Sequence, residues 1–187
     1  MPSASPLLVD AHEDVLKSLK LFSVALKQMN VSNAQGIELI NEIEDNVYFQ
    51  EAKQFALSAK HNYYASILKW HESIDPTIQH SDHLLEEQNL TLEQWSELNL
   101  NQKNRYISYL LLSGEHYNSY YTQDMTIRID ELLNNGQAEN MQLTTIQSIF
   151  NTLISTGAVR TEDFIINKNR FYEEEILPQL PFFFEQK

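Results

Sequence analysis

A chain of 187 residues with 42% hydrophobic side chains and four glycines is long enough to bury one sizeable core, and too poor in glycine for a dinucleotide-binding or phosphate-cradling fold. Twenty-six acidic against thirteen basic residues give a formal net charge of -13, which argues against nucleic acid as a ligand and favours basic proteins or cations as partners. The absence of cysteine removes disulfides, thiolate nucleophiles, iron-sulfur clusters and zinc-thiolate sites, so any metal would rest on histidine and carboxylate.

Apolar residues recur at helical spacing along almost all of the chain, and nowhere do five or more alternate as in a half-buried strand. The pattern predicts an all-α protein, a single-domain helical bundle of about six to seven helices with a C-terminal helical hairpin. The first helix is expected over 6–29, since Pro6 suits an opening turn. Within it Leu8, His12, Val15, Leu19, Phe22, Leu26 and Met29 alternate steps of four and three, the spacing of a seam buried in a bundle.

A long or bent helical segment over 33–74 follows, with Ile37, Ile40, Ile43 and Val47 leading into Ala52, Phe55, Ala59, Tyr63, Ile67 and Trp70, and a bend at Asp45-Asn46. Asp75-Pro76 must interrupt it, because proline lacks a donor and disfavours helical geometry at the residue before it. Residues 75–100 read as an acidic connection with short helices, the last capped by Thr91. A long helix over 101–134 is expected to end at Gly136, and a helical hairpin over 142–177 to turn at Gly157, with Thr161 capping its second helix. An aromatic tail, 178–187, carries PFFF.

The charge pattern singles out one interval. Between Lys69 and Lys103 there is no lysine or arginine, while Glu72, Asp75, Asp82, Glu86, Glu87, Glu93 and Glu97 all fall inside. Acids without internal counter-ions are solvated, meet a basic partner or hold a cation. Tyr106, Tyr109, Tyr117 and Tyr120 follow on the long helix and suit a contact surface, since tyrosine buries much area with little loss of entropy.

Metal ligation has two candidate places. His80 and His83 are three apart and Glu87 lies four further on, so one face of a helix begun after Pro76 would carry all three, a donor set for zinc, iron or manganese. His12, on the apolar seam, offers a buried imidazole to a metal or haem. Neither HExxH nor ExxH occurs, so the metalloprotease and paired di-iron motifs are missing.

There is no GxSxG element and no phosphate loop. No segment reaches about 20 apolar residues, and the amino terminus lacks the form of a signal peptide. The leading expectation is a cytoplasmic, non-enzymatic acidic protein without a cofactor that works by binding another protein, as an inhibitor, immunity protein, adaptor or accessory subunit. Its expected contact residues are Glu72, Asp82, Glu86, Glu87, Glu93, Glu97 and the four tyrosines, and a second copy of the chain is among the admissible partners. The alternative is a helical-bundle enzyme or carrier that holds a divalent metal or haem through His12 or through His71, His80 and His83 with neighbouring carboxylates.

Overall fold

The structure, a computed structural model, describes residues 6–29, 35–75, 78, 89–117 and 120–175. It is all-α, with nine helices among the described residues: α1 (Pro6–Met29), α2 (Ile37–Asp45), α3 (Val47–Ile74), α4 (Leu92–Ser96), α5 (Leu100–Ser113), α6 (Thr122–Asn134), α7 (Gln137–Asn140), α8 (Ile146–Thr156) and α9 (Asp163–Phe171). An isolated antiparallel bridge joins Thr91 to Thr145, beside a bond from the Ile146 N–H to the Leu90 carbonyl at 2.9 Å. No helix among the described residues is long and apolar enough to cross a membrane.

Local backbone chemistry sets the helix ends. The Thr91 hydroxyl accepts from the Gln94 N–H at 3.2 Å while the Gln94 side chain takes the Thr91 N–H at 2.9 Å, a capping box that opens α4. Gly136 and Gly157 both have positive φ, 66° and 60°, the left-handed conformation that closes a helix. α3 stops at Ile74, before Asp75-Pro76. The bend expected at residues 45 and 46 is a one-residue break: Asn46 is extended and its side-chain oxygen accepts from the Phe49 N–H at 3.1 Å, capping α3.

Three expectations need correction. The helix expected over 101–134 is two helices. After Ser113, Glu115 takes a φ of 54° and the His116 N–H bonds the Leu111 carbonyl at 2.9 Å, ending α5 in a left-handed turn. α6 then starts afresh, because the Asp124 carboxylate accepts from the Tyr121 N–H at 2.9 Å. The last helix runs only to Phe171 and is not capped by Thr161: its preceding residue, Glu162, makes no side-chain cap bond, and Asp163 instead accepts from the Arg160 N–H at 2.9 Å. The third correction concerns the direction in which α1 faces.

The chain divides into two compact units, one formed from the described parts of Met1–Ser66 and Ser108–Asn118, the other from those of Ile67–Ile107 and Ser119–Lys187. In the first unit α1 and α3 lie antiparallel, as shown by Asp14 meeting Ser58, Lys17 lying over Phe55 and Phe22 meeting Phe49 edge-on. α1 does not bury the apolar seam expected of it. Its buried residues are Ala11, Asp14, Ser18 and Ala25, while Leu8, Val15, Leu19 and Leu26 are exposed.

Two observations explain this inversion. Ala11, Ser18 and Ala25 recur every seven residues, and so do the buried Ala52, Ala59 and Ser66 of α3; small side chains allow close helix packing. Asp14 is held inside by bonds from Ser58 at 2.7 Å, Lys17 at 3.2 Å and Asn62 at 3.4 Å, so its burial leaves no carboxylate unsatisfied.

In the second unit α6 is the central element, and α7, α8 and α9 all pack on it. It buries Met125, Ile127, Ile129 and Leu132, and a cluster of Leu100, Ile127, Phe164 and Tyr172 closes over one end. Asp124 serves two helices at once: besides capping α6, it accepts from the Phe164 N–H at 3.0 Å. Each residue from Leu100 to Ile107 on α5 is buried, polar ones included. Burial on all sides explains why α5 lacks a clean apolar stripe.

Candidate functional site

The outward side of α1 is the least ordinary surface described. Leu8, Val9, Val15, Leu16, Leu19 and Leu26 are between 41% and 60% exposed, and His12 and Ser23 are exposed between them. At 100° per residue these side chains fall on one face about a third of the circumference wide. No charged residue lies inside that face; Glu13, Lys20 and Lys27 border one edge of it. An aliphatic, solvent-facing strip is a candidate contact surface by its chemistry, because leaving it in water is unfavourable.

α2 continues this character in the same unit. It has no buried residue, its Ile37 and Ile40 are exposed, and Glu38, Glu42, Glu44 and Asp45 occupy the same nine positions. Apolar side chains framed by acids suit a partner that is apolar at its centre and basic at its edge.

The second unit holds the most elaborate polar cluster. Asp130, on α6, accepts from Trp95 Nε1 at 2.6 Å and from Lys103 Nζ at 3.1 Å through one oxygen, and from the Tyr172 hydroxyl through the other. Lys103 Nζ also donates to the Tyr172 hydroxyl at 3.3 Å and sits 5.3 Å from the ring centroids of both Trp95 and Tyr172, a cation held between two aromatic faces. A cleft of ≈ 330 Å³ opens beside it, with Ser96, Leu133, Asn134 and Phe171 completing the walls.

This arrangement has the residue types of an acid-base site but not its poise. Burial, then the negative charge and hydrogen bond of Asp130, then the charge of Glu175, push the Tyr172 hydroxyl far above its ordinary range, so it remains a donor bound to Asp130. Both carboxylate oxygens of Asp130 are engaged inside the chain. The cluster is a closed brace between α4, α5, α6 and the end of α9.

The described residues among those expected to form a contact surface fall in both units. Glu93 and Glu97 are exposed and Glu72 is half-buried, while Asp82, Glu86 and Glu87 lie outside the described residues. The four tyrosines divide between the two units. Tyr106 is 1% exposed and meets Trp95 edge-on, which places it in the core. Tyr109 is half-buried against His61, Tyr117 is exposed beneath Lys60, and Tyr120 belongs to the other unit. The Tyr120 hydroxyl is pushed up to about 12 by burial.

For metal, His80, His83 and Glu87 lie outside the described residues. His12 is exposed, which removes the buried imidazole expected for a haem or metal inside a bundle. His71 is buried but bonded through Nδ1 to the Asn101 amide at 2.9 Å. Among the described residues no three histidines or carboxylates gather as a metal site.

Sequence reasoning missed Val9 and Leu16 on α1, and the whole Trp95, Lys103, Asp130 and Tyr172 brace. One signal for the brace was present: Asp130 falls three residues after Ile127 and three before Leu133, an acid on a face that helical spacing makes apolar. Comparison with family models, with curated proteins and with solved structures gives no match.

Proposed function

We propose that this chain works by binding another protein, without catalysis, and that the aliphatic face of α1 is its contact surface. The observation that carries this reading is the outward turn of Leu8, Val9, Val15, Leu16, Leu19 and Leu26 on one uncharged face. Completing the burial of six half-exposed aliphatic side chains contributes about 1 kcal/mol each. Association costs about 4–15 kcal/mol, so the surface that covers α1 must bring apolar area of its own. A polypeptide helix with a matching stripe meets that requirement.

The acid excess assists. Glu93 and Glu97 in one unit and the α2 acids in the other are solvent-facing, which steers basic surfaces toward the molecule and repels polyanions. The acids act on encounter, and the leucines on retention.

Photo-crosslinking tests the reading directly. A photoreactive amino acid is placed at Leu16 or Leu19, and in control chains at Glu93 or Glu97, and cells expressing each chain are irradiated. The expected result is an adduct at the two α1 positions whose second component mass spectrometry identifies as a polypeptide. Absence of any protein adduct at both α1 positions overturns the reading.

A further inference from the structure

We infer that the occupant of the α1 face is a second copy of the same chain, paired antiparallel across a two-fold axis near Leu16-Lys17. The inference rests on the protein-binding reading above and adds the identity and direction of the partner. Three features of α1 support it.

The first is that the stripe is self-complementary. Leu8 is as far from the midpoint as Leu26, and Val15 as far as Leu19. Antiparallel pairing therefore sets Leu8 against Leu26 of the second copy, Val15 against its Leu19, and each of these reciprocally, with His12 against Phe22. Every layer but the His12 layer is wholly apolar. Their alternating steps of four and three are those of helices that pair through interlocking side chains.

The second is charge. The exposed acids of α1, Asp10 and Glu13, lie before Leu16 and its exposed bases, Lys17, Lys20 and Lys27, after it. In an isologous antiparallel pair the same edge of each helix faces the other, so Glu13 comes beside Lys20 of the second copy, twice over. Glu13 is 61% exposed at its side chain and lies 3.9 Å from Lys17, a surface pair weak enough to be exchanged.

The third is that a parallel pair gains no such ion pairs. It would bring the Glu13, Lys20 and Lys27 edge of one helix against the opposite edge of its partner, where Ala11, Ser18 and Ala25 are already buried in the chain's own fold. Six half-exposed aliphatics contributed by each copy also bring the covered area to the roughly 1,000 Å² that a specific interface requires.

Sedimentation of the full chain is expected to show a concentration-dependent dimer. Leu19→Glu, at a position 60% exposed and so without a role in the monomer core, should weaken it by about a hundredfold or more while leaving the helical circular dichroism unchanged. Glu13→Lys and Lys20→Glu should each weaken it about two- to tenfold, and the double swap should restore it. Direction is read from the absence of native cysteine. Chains with Leu8→Cys mixed with chains with Leu26→Cys should form a mixed disulfide. Neither should link to itself, since eighteen helical residues place like positions about 27 Å apart.

A wild-type chain that stays monomeric at every concentration, a dimer indifferent to Leu19→Glu, or Leu8→Cys chains that link to themselves as readily as to Leu26→Cys chains would each overturn the inference. If the chain is monomeric and photo-adducts at Leu16 and Leu19 contain a different protein, the second copy is wrong and the binding reading stands. If there are neither dimers nor adducts, both fail.

Discussion

Helices α1 and α5 handle polarity in opposite ways. α1 turns Ala11, Asp14, Ser18 and Ala25 inward and Leu8, Leu16, Leu19 and Leu26 outward, whereas α5 buries Asn101, Gln102, Lys103, Asn104 and Arg105 together with Leu100, Tyr106 and Ile107. The buried polar groups of α5 have partners supplied by the chain: Lys103 has Asp130, Asn104 accepts from Thr126 at 2.8 Å, and Asn101 bonds His71. The exposed leucines of α1 have no such complement among the described residues. Burial is decided by where a side chain's partner is found, more than by its hydropathy. An interior that is complete by itself serves stability, and on the reading proposed above the exposed face of α1 serves association.

Breaking the complete half should give the largest effect. Asp130→Ala leaves the Lys103 ammonium buried without a counter-ion and takes the acceptor from Trp95 and Tyr172, an expected loss of about 3–5 kcal/mol. Urea unfolding followed by tryptophan fluorescence measures it. The double variant Lys103→Met, Asp130→Leu removes both charges and should be more stable than Asp130→Ala alone, because buried pairs are costly to break and not costly to replace. A loss below about 1 kcal/mol for Asp130→Ala would mean that the brace is a surface pair after all.

The inversion of α1 predicts an order between adjacent residues. Ala25→Leu inserts methylenes at a fully buried position and should cost about 1–3 kcal/mol. Leu26→Ala, at a position 58% exposed, should cost under about 0.5 kcal/mol when unfolding is measured on dilute monomer. A leucine seam turned inward would reverse that order, with Leu26→Ala costing about 2–5 kcal/mol.

This same pair of residues shows what the sequence could and could not reveal. The limits of α1, the stop before Pro76, the cap at Thr91 and the turns at Gly136 and Gly157 were legible, since each depends on a few adjacent residues and on backbone chemistry. The face of α1 was not, because two heptad lines one position apart, Ala11-Ser18-Ala25 and His12-Leu19-Leu26, share one period. Periodicity reports the repeat and leaves the choice of side to packing against α3. The break between α5 and α6 depends on a left-handed Glu115, a residue that carries no signal for that conformation. The brace joins Lys103 to residues 27 and 69 positions away, a juxtaposition that no local pattern encodes.

At high pH Tyr172 and the half-buried Tyr120 of the second unit should become the weak point. The hydroxyls of Tyr172 and Tyr120 are both pushed up by burial. A raised folded-state pKa means that the folded chain binds more protons than the unfolded chain once the pH passes about 10, the ordinary tyrosine value, so the stability present below that pH is lost as it rises. The melting temperature should fall between pH 10 and 11. Tyr172→Phe, less stable at pH 8 for want of the bond to Asp130, should show a shallower fall over that range. Parallel falls in the two proteins would place the alkaline transition elsewhere.

Lys60 in the first unit should show the opposite sign and the smallest effect. Burial lowers its pKa from the ordinary 10.5, so folding disfavours the ammonium and stability rises as pH climbs through the folded value toward the unfolded one. Lys60→Met removes that penalty, and at pH 7 it should therefore stabilise the chain. The gain is limited because the side chain keeps partial contact with water and because the ammonium lies 5.8 Å from the Tyr117 ring centroid, an attraction of about 0.5–1 kcal/mol that methionine gives up. A net gain within about 1 kcal/mol at pH 7 that shrinks toward pH 10.5 is the expected result of thermal melts on the two proteins. A gain that grows with pH would show that the Tyr117 contact outweighs desolvation, and that even a half-buried charge in this unit has found its partner within the chain.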